Sequence, residues 1–306
     1  MIKHPWNPLS FPFPFSLGNP AAAAAAASGN LPSPAPSPIP DKAGLVFWRA
    51  CSSGNVDLVE EFLGSPRPFD VNWTDPELHR SGLYRAASHN HVAVVARLLR
   101  DPKIDVNLRT ADHATALFIA SQSGYVEVLT LLLLHPAIDV NLGNLTGATP
   151  LWQACWVGHT SVIRLLLDHP LVRQNAVNRE GSTPLWIASQ QGHLEAVKLL
   201  LASSRSLDVQ ARWERNKKTA CEQALQNGHH EIARLLERYQ ADPVETRDQL
   251  RHEMRTLGKQ ALLVDIQGEG WIHSSPPPPP LSLQSPRRRI FWRLSCSCAT
   301  ICIGSG

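Results

Sequence analysis

Four histidines recur at matching places, His91, His159, His193 and His229, and three cysteines, Cys296, Cys298 and Cys302, crowd the C-terminus. Imidazole and thiolate are the usual zinc ligands, so a metal centre is the first chemistry to weigh. The spacing argues against one. Successive histidines fall about one structural repeat apart, roughly 10 Å in space, whereas the ligands of a zinc ion lie within about 2.1 Å of it. Each follows a Gly or Asn and leads into an apolar periodic run, which marks it as structural. The cysteines form C-x-C-x3-C, outside the standard zinc spacings, with no histidine after them. Other chemistry is equally illegible. The sequence contains no G-x-x-x-x-G-K-[ST] phosphate loop, no G-x-G-x-x-G, no G-x-S-x-G elbow and no H-E-x-x-H pair; His230-Glu231 lacks the second histidine. Neither catalysis nor a cofactor is expected.

The dominant signal is a repeat. Thr149–Pro170 reads TPLWQACWVGHTSVIRLLLDHP, and related strings begin 34 residues to either side, at Thr115 and Thr183. Three ladders run in step over six units. One is Ala50, Ala86, Ala120, Ala154, Ala188 and Ala224; four residues on come Gly54, Asn90, Gly124, Gly158, Gly192 and Gly228. The third is Asn72, Asn107, Asn141 and Asn175, with Gln210 in the last place. A fixed period of this length means stacked units sharing one core.

Each unit explains itself. Thr149 and Thr183 suit an N-cap, and Pro150 and Pro184 suit the first helical position, where a missing N–H costs nothing. Leu151, Ala154 and Cys155 then share one face of a short helix. Small residues on that face let neighbouring helices approach closely. Gly158 and Gly192 sit where the helix must end in a left-handed residue. A second helix follows, with Val162, Leu165 and Leu166 as its stripe, and His169-Pro170 stops it. An extended hairpin then returns to the next Thr. The hairpin asparagines are read as holding the turn by side-chain bonds to backbone.

The strings resemble the ankyrin repeat, whose Thr-Pro-Leu, Ala-Ala, Gly-His, Leu-Leu and Asp-Val-Asn motif is matched over about 200 of the 306 residues. The resemblance implies an all-α fold, an ankyrin-repeat solenoid of stacked helix-turn-helix units with projecting hairpins. Two departures stand out. The usual histidine after Thr-Pro-Leu is an aromatic here, at Trp48, Tyr84, Phe118, Trp152 and Trp186, which points to an aromatic stack in place of the family's hydrogen bonds. Pro-x-Ile or a variant replaces Gly-Ala before Asp-Val-Asn and adds one residue per unit.

The domain organisation follows. Residues 1–40 hold ten of the 25 prolines and a run of seven alanines, and are expected to be disordered. The repeat domain takes 41–257, with about six repeats and a capping helix near 243–256, whose apolar stripe would be Leu250, Met254 and Leu257. Residues 258–306 lose the pattern and read as a disordered Pro-rich, basic tail. The two tails carry +1 and +3 of a total charge of +3, so 41–257 sums to −1 and no nucleic-acid-binding face is expected. No window reaches the ~20 apolar residues of a membrane span. Cys51 and Cys155 share one small-residue position and read as buried thiols in a reducing compartment. An intracellular, cytoplasmic location is expected, with the nucleus left open.

What remains is surface recognition. The resemblance implies a non-catalytic scaffold or adaptor that binds a protein partner through its concave face and hairpin tips. Carried onto this chain, the candidate contacts are Trp73, Arg109, Gln122, Trp156, Gln190 and Trp213. Aromatics and arginines dominate binding hot spots, but Trp73 and Trp213 have the alternative of packing on their own longer hairpins. Trp152 and Trp186 are assigned to the fold with Thr149, Pro150, Ala154, Gly158, Thr183, Pro184 and Gly192, because every internal unit has an aromatic there. The alternative function is a substrate receptor of a larger enzyme complex, such as a ubiquitin ligase, recruiting through its C-terminal helix or tail. The tract 276–289, prolines before arginines, matches an SH3-type ligand.

Overall fold

A unit of two short helices and a hairpin cannot bury its apolar side alone, so neighbours must supply the other half of its core. The computed structural model of the chain describes residues 42–65, 69–203 and 206–268, with side chains to residue 256. The segment 1–40, the tract 276–289 and the three C-terminal cysteines lie outside the described residues. Contacts group the chain into two units, up to Arg255 and from Thr256 onward, and the account below concerns the first.

Six helix pairs follow one another. They are α1 (Lys42–Ser53) and α2 (Val56–Gly64), α3 (Gly82–Ser88) and α4 (Val92–Leu98), α5 (Ala116–Ser123) and α6 (Val126–Leu133), α7 (Pro150–Val157) and α8 (Thr160–Asp168), α9 (Pro184–Gln191) and α10 (Leu194–Ala202), and α11 (Ala220–Gln226) and α12 (His230–Ala241). A final helix, α13, spans Pro243–Gly268, beyond the end expected near 256. First helices pack in order on first helices, and second helices on second helices, giving two layers. All six ladder alanines are buried between them. Leu83, Leu117, Leu151 and Leu185 fill the gap to the second layer, where Leu98, Leu132, Leu166 and Leu200 answer them, all fully buried.

Local chemistry sets each helix start. The hydroxyls of Ser81, Thr115, Thr149, Thr183 and Thr219 each accept the N–H three residues on, at 3.1–3.3 Å. The last closes a capping box, with the Thr219 N–H donating to Glu222 at 2.8 Å. That bond holds the Glu222 carboxyl below its usual range. It also explains why an acid stands where the other units have an aromatic: no further unit follows for an aromatic to reach.

The hairpins are turns, and the described residues contain one isolated bridge, Thr74 to Ser81. They are tied to one another by single backbone bonds: Ala111 N–H to Leu78 O, Leu145 to Asp112, Arg179 to Thr146 and Glu214 to Glu180, at 2.8–3.2 Å. The asparagine ladder does more than hold its own turn. Asn141 donates Nδ2 to Leu171 O at 2.8 Å and accepts Arg173 N–H at 2.8 Å, both in the following unit. Asn72, Asn107 and Asn175 make the same pair of forward bonds. These amides join units.

After α12, Asp242 caps α13 by accepting Val244 and Glu245 N–H at 3.1 and 2.9 Å. Thr246 and Leu250 are buried, and Arg251 Nε reaches Ala202 O at 2.8 Å, which covers the end of the stack. Because two inter-unit bonds hang on each amide, Asn141→Ala is expected to cost about 2 kcal/mol, near 1 for each bond. Urea unfolding would measure it, and a loss below about 0.5 kcal/mol would make the ladder incidental.

Candidate interaction surface

Two further sets of side chains bridge the units, and they decide which surface is left for a partner. The indole N–H groups of the aromatic ladder point to the next unit. Trp48 Nε1 donates to Arg80 O at 2.7 Å, Trp152 to Ser182 Oγ at 3.0 Å, and Trp186 to Lys218 O at 3.1 Å. The expectation of an aromatic stack replacing hydrogen bonds is therefore corrected. The rings that Trp152 and Trp186 meet are Trp156 and Trp213, and the indole keeps a hydrogen bond into the chain just ahead of the next helix. An indole suits that place because it fills a core-sized space and still carries one donor.

The histidines stand at the N-caps of α4, α8, α10 and α12 without capping them. Their rings reach back instead. His91 Nε2 bonds Ser52 O, His159 bonds Gln122 O, His193 bonds Trp156 O, all at 3.0 Å, and His229 bonds Gln190 O at 3.2 Å. Each ring lies over the glycine that ends the previous first helix. Gly158 has φ 87°, and a Cβ there would sit 2.7 Å from His193 Nδ1. Glycine is thus required twice, by conformation and by the ring. Gly228 has φ 80° as well, but among the described residues nothing lies within 4 Å of a Cβ there, and no seventh histidine-bearing unit stacks on it. The same logic covers the exception: Asn90 (φ 58°) carries a Cβ, and the residue that would close over it is Tyr125 rather than His.

These placements sort the sequence candidates. Trp73 lies over Gly44 of α1, with its ring 2.5 Å from where a Cβ would be, so it is a packing residue. Trp213 packs against Trp186 at 4.6 Å between centroids, tilted at 44°, with no hydrogen-bond partner for its buried Nε1, and extends the aromatic ladder. Arg109 is exposed but committed: Nε donates to His113 O at 3.2 Å and Nη2 to Gly143 O in the next hairpin. Gln122, Trp156 and Gln190 are half-buried at the C-terminal ends of α5, α7 and α9, and their carbonyls take the histidine bonds. The Trp156 ring tilts at 57° against Trp152, 5.7 Å between centroids, and its neighbour Val157 is 42% exposed. The residues assigned to the fold are buried: Thr149, Pro150, Trp152, Ala154, Thr183, Pro184 and Trp186, while Gly158 and Gly192 hold left-handed turns.

A family profile described as "Ankyrin repeats (3 copies)" matches residues 47–144, 138–212 and 171–247. The chain belongs to the ankyrin-repeat family. Among solved structures it is similar to an ankyrin repeat domain from Acinetobacter baumannii AYE, with a TM-score of 0.57 and 24% identity over 62% of this chain and 95% of that one. The ankyrin repeat protein EF0377 gives a TM-score of 0.57 and 25% identity over 61% and 94% of the two chains. No curated protein sequence matches. Ankyrin repeats are generally protein–protein interaction modules and typically non-catalytic.

Chemistry at the surface is sparse. Among the described residues no group of three or more His, Cys, Asp and Glu is placed to hold a metal ion, and no helix is long and apolar enough to cross a membrane. Burial pushes the Cys51 thiol up to about 12 and Cys155 higher still, so both stay protonated and are poor nucleophiles. The indole donors and the backward histidine bonds were missed in the sequence. Their one legible trace was the joint change at positions 90 and 125.

The double demand on Gly158 has a measurable consequence. Gly228→Ala is expected to cost about 1 kcal/mol from left-handed strain alone. Gly158→Ala must also displace the His193 ring and is expected to cost at least about 3 kcal/mol. Equal losses in urea melts would remove the ring contact from the account.

Proposed function

We propose that the chain is a non-catalytic adaptor that binds a protein partner through the C-terminal ends of its middle first helices, centred on Trp156. The observation that supports this is that Trp156 is a large, half-buried aromatic at a position where the other units place a serine or a glutamine. Trp73 is taken up against Gly44 and Trp213 against Trp186. Matching positions in other units are Ser52, Ser88, Gln122, Gln190 and Gln226. A large aromatic beside an exposed valine, where the fold elsewhere accepts serine, has the character of a binding anchor. The reading takes 41–257 as the binding domain. Its intracellular setting is supported by Cys51, Cys155 and Cys221, which are free and buried.

Affinity capture with the full chain tests this when paired with urea melts. Trp156→Ala is expected to lose the partner, about 2 kcal/mol of binding or more, at a smaller cost in stability than Trp152→Ala. Trp152→Ala is expected to lose about 3–5 kcal/mol of stability. If Trp152→Ala instead costs below about 1 kcal/mol and abolishes binding, the ladder itself is the binding stripe. Loss of partner on removing 258–306, with Trp156→Ala silent, would shift recognition to the tail and favour the receptor-subunit reading.

A further inference from the structure

The two ends of the stack are closed differently. The last unit is met by α13, with Thr246 and Leu250 buried and Arg251 donating to Ala202 O. Among the described residues the first unit has a neighbour on one side only, yet its outward positions carry core residues. Val46 is 42% exposed, and the residues at its place in every later unit, from Gly82 to Ala220, are buried. That position faces the preceding unit: a Cβ on Gly82 would lie 2.9 Å from Cys51 Sγ and 3.3 Å from the Phe47 ring. On the second helix Leu58 and Phe62 are half-buried, whereas their counterparts, Val94 and Leu98 onward, are buried in all five later units. Phe47, Phe62 and Phe69 form an aromatic cluster here, centroids 4.8–5.7 Å apart, where the second to fifth units use aliphatic residues. Arg49, Asp57 and Glu61 are exposed beside them. A terminal unit ordinarily turns a polar face outward, so this apolar end asks for a cover.

We propose that the chain's own N-terminal segment closes this end, laying Phe11, Phe13 and Phe15 against Val46, Leu58 and Phe62. Residues 1–41 lie outside the described residues and lead directly into α1, which begins at Lys42. The segment is therefore tethered beside the face it covers. Its sequence suits an apolar wall: Phe-Pro-Phe-Pro-Phe at 11–15 carries no charge, and Lys3 is the only charged residue in 1–40. A helix face offers no backbone partners, and Pro12 and Pro14 bring no N–H to be left unpaired. Arg49 supplies donors for the carbonyls between them. Proline also fixes φ, which lowers the entropy lost when the stretch is ordered. A stretch that builds no core of its own can still dock on one already formed. Residues 16–41 are ample to return over α1, whose 12 residues rise about 18 Å. A tether of this kind gives an effective concentration on the order of 1 mM. A contact with a Kd on the order of 0.1 mM is then formed about nine-tenths of the time and slows opening of the first unit about tenfold. The closure depends neither on Trp156 nor on a partner.

Hydrogen exchange of the full chain, read by mass spectrometry, tests the closure. Phe11→Ser with Phe13→Ser and Phe15→Ser, all outside the repeats, is expected to speed exchange in α1 and α2 about tenfold and to leave α9 and α10 unchanged. Val46→Asp is expected to do the same. The four changes together are expected to add nothing to either set, because both remove one contact. A synthetic peptide of residues 1–20, added at about 1 mM to the phenylalanine variant, is expected to restore the protection. Unchanged exchange in the phenylalanine variant would overturn the proposal, whatever Val46→Asp does. Additive effects would place the segment and Val46 in separate contacts and overturn it as well. Self-association of the chain in sedimentation, removed by Val46→Asp but not by the phenylalanine changes, would make a second copy the occupant and overturn closure by the segment.

Discussion

A stack of short units has only its nearest neighbours to hold it, so the bonds across each junction carry the whole molecule. At the junction between the fourth and fifth units three side chains cooperate. Trp152 reaches forward to Ser182, His193 reaches back to Trp156 O, and Asn175 donates to Ser206 O and accepts from Asp208 N–H. Each bond satisfies a backbone or hydroxyl group at an element end, where regular helix bonding leaves one orphaned. The glycine beneath the histidine, the threonine before the tryptophan and the alanine between them follow from these demands.

The junctions are not equal. Between the first and second units Trp48, His91 and Arg85 all bridge, with Arg85 donating to Ser52 Oγ at 2.9 Å. Between the second and third, Tyr84 has no indole donor, and Asn90 with Tyr125 replaces the glycine–histidine pair. What remains there are the Asn107 amide, the Arg109 guanidinium and one backbone bond between hairpins. The junction between the third and fourth units is bridged as thinly, by His159, the Asn141 amide and one backbone bond, since Phe118 has no donor either. In a chain stabilised unit by unit, these two junctions open before the first and the fourth.

Much of this was legible in the sequence, because each unit repeats the same local solution and six copies average out the noise. Thr149, Pro150, Ala154 and Gly158 declare their roles through propensity alone, and Glu222 and Gln210 show where the ladders end. Direction across the stack was not legible. Periodicity shows that Asn141, His193 and Trp152 recur, but a one-dimensional pattern carries no sign of whether each side chain bonds its own turn or a neighbour's. The candidate surface suffered similarly. Trp73, Trp156 and Trp213 looked alike as unusual aromatics, and only the structure shows that they meet different neighbours, Gly44, Trp152 and Trp186.

Under the function proposed above, the fold holds the side chains that bridge units, and the ends of the first helices are offered to a partner. Whether the bridges govern stability can be asked directly by native-state hydrogen exchange of the full chain, read by mass spectrometry at rising denaturant. The account predicts that amides of the first two units open together, at lower free energy than those of the fourth and fifth, with the boundary on one side or the other of the third unit, α5 and α6. A single common opening free energy for all six units, or a first break between the fourth and fifth, would contradict it.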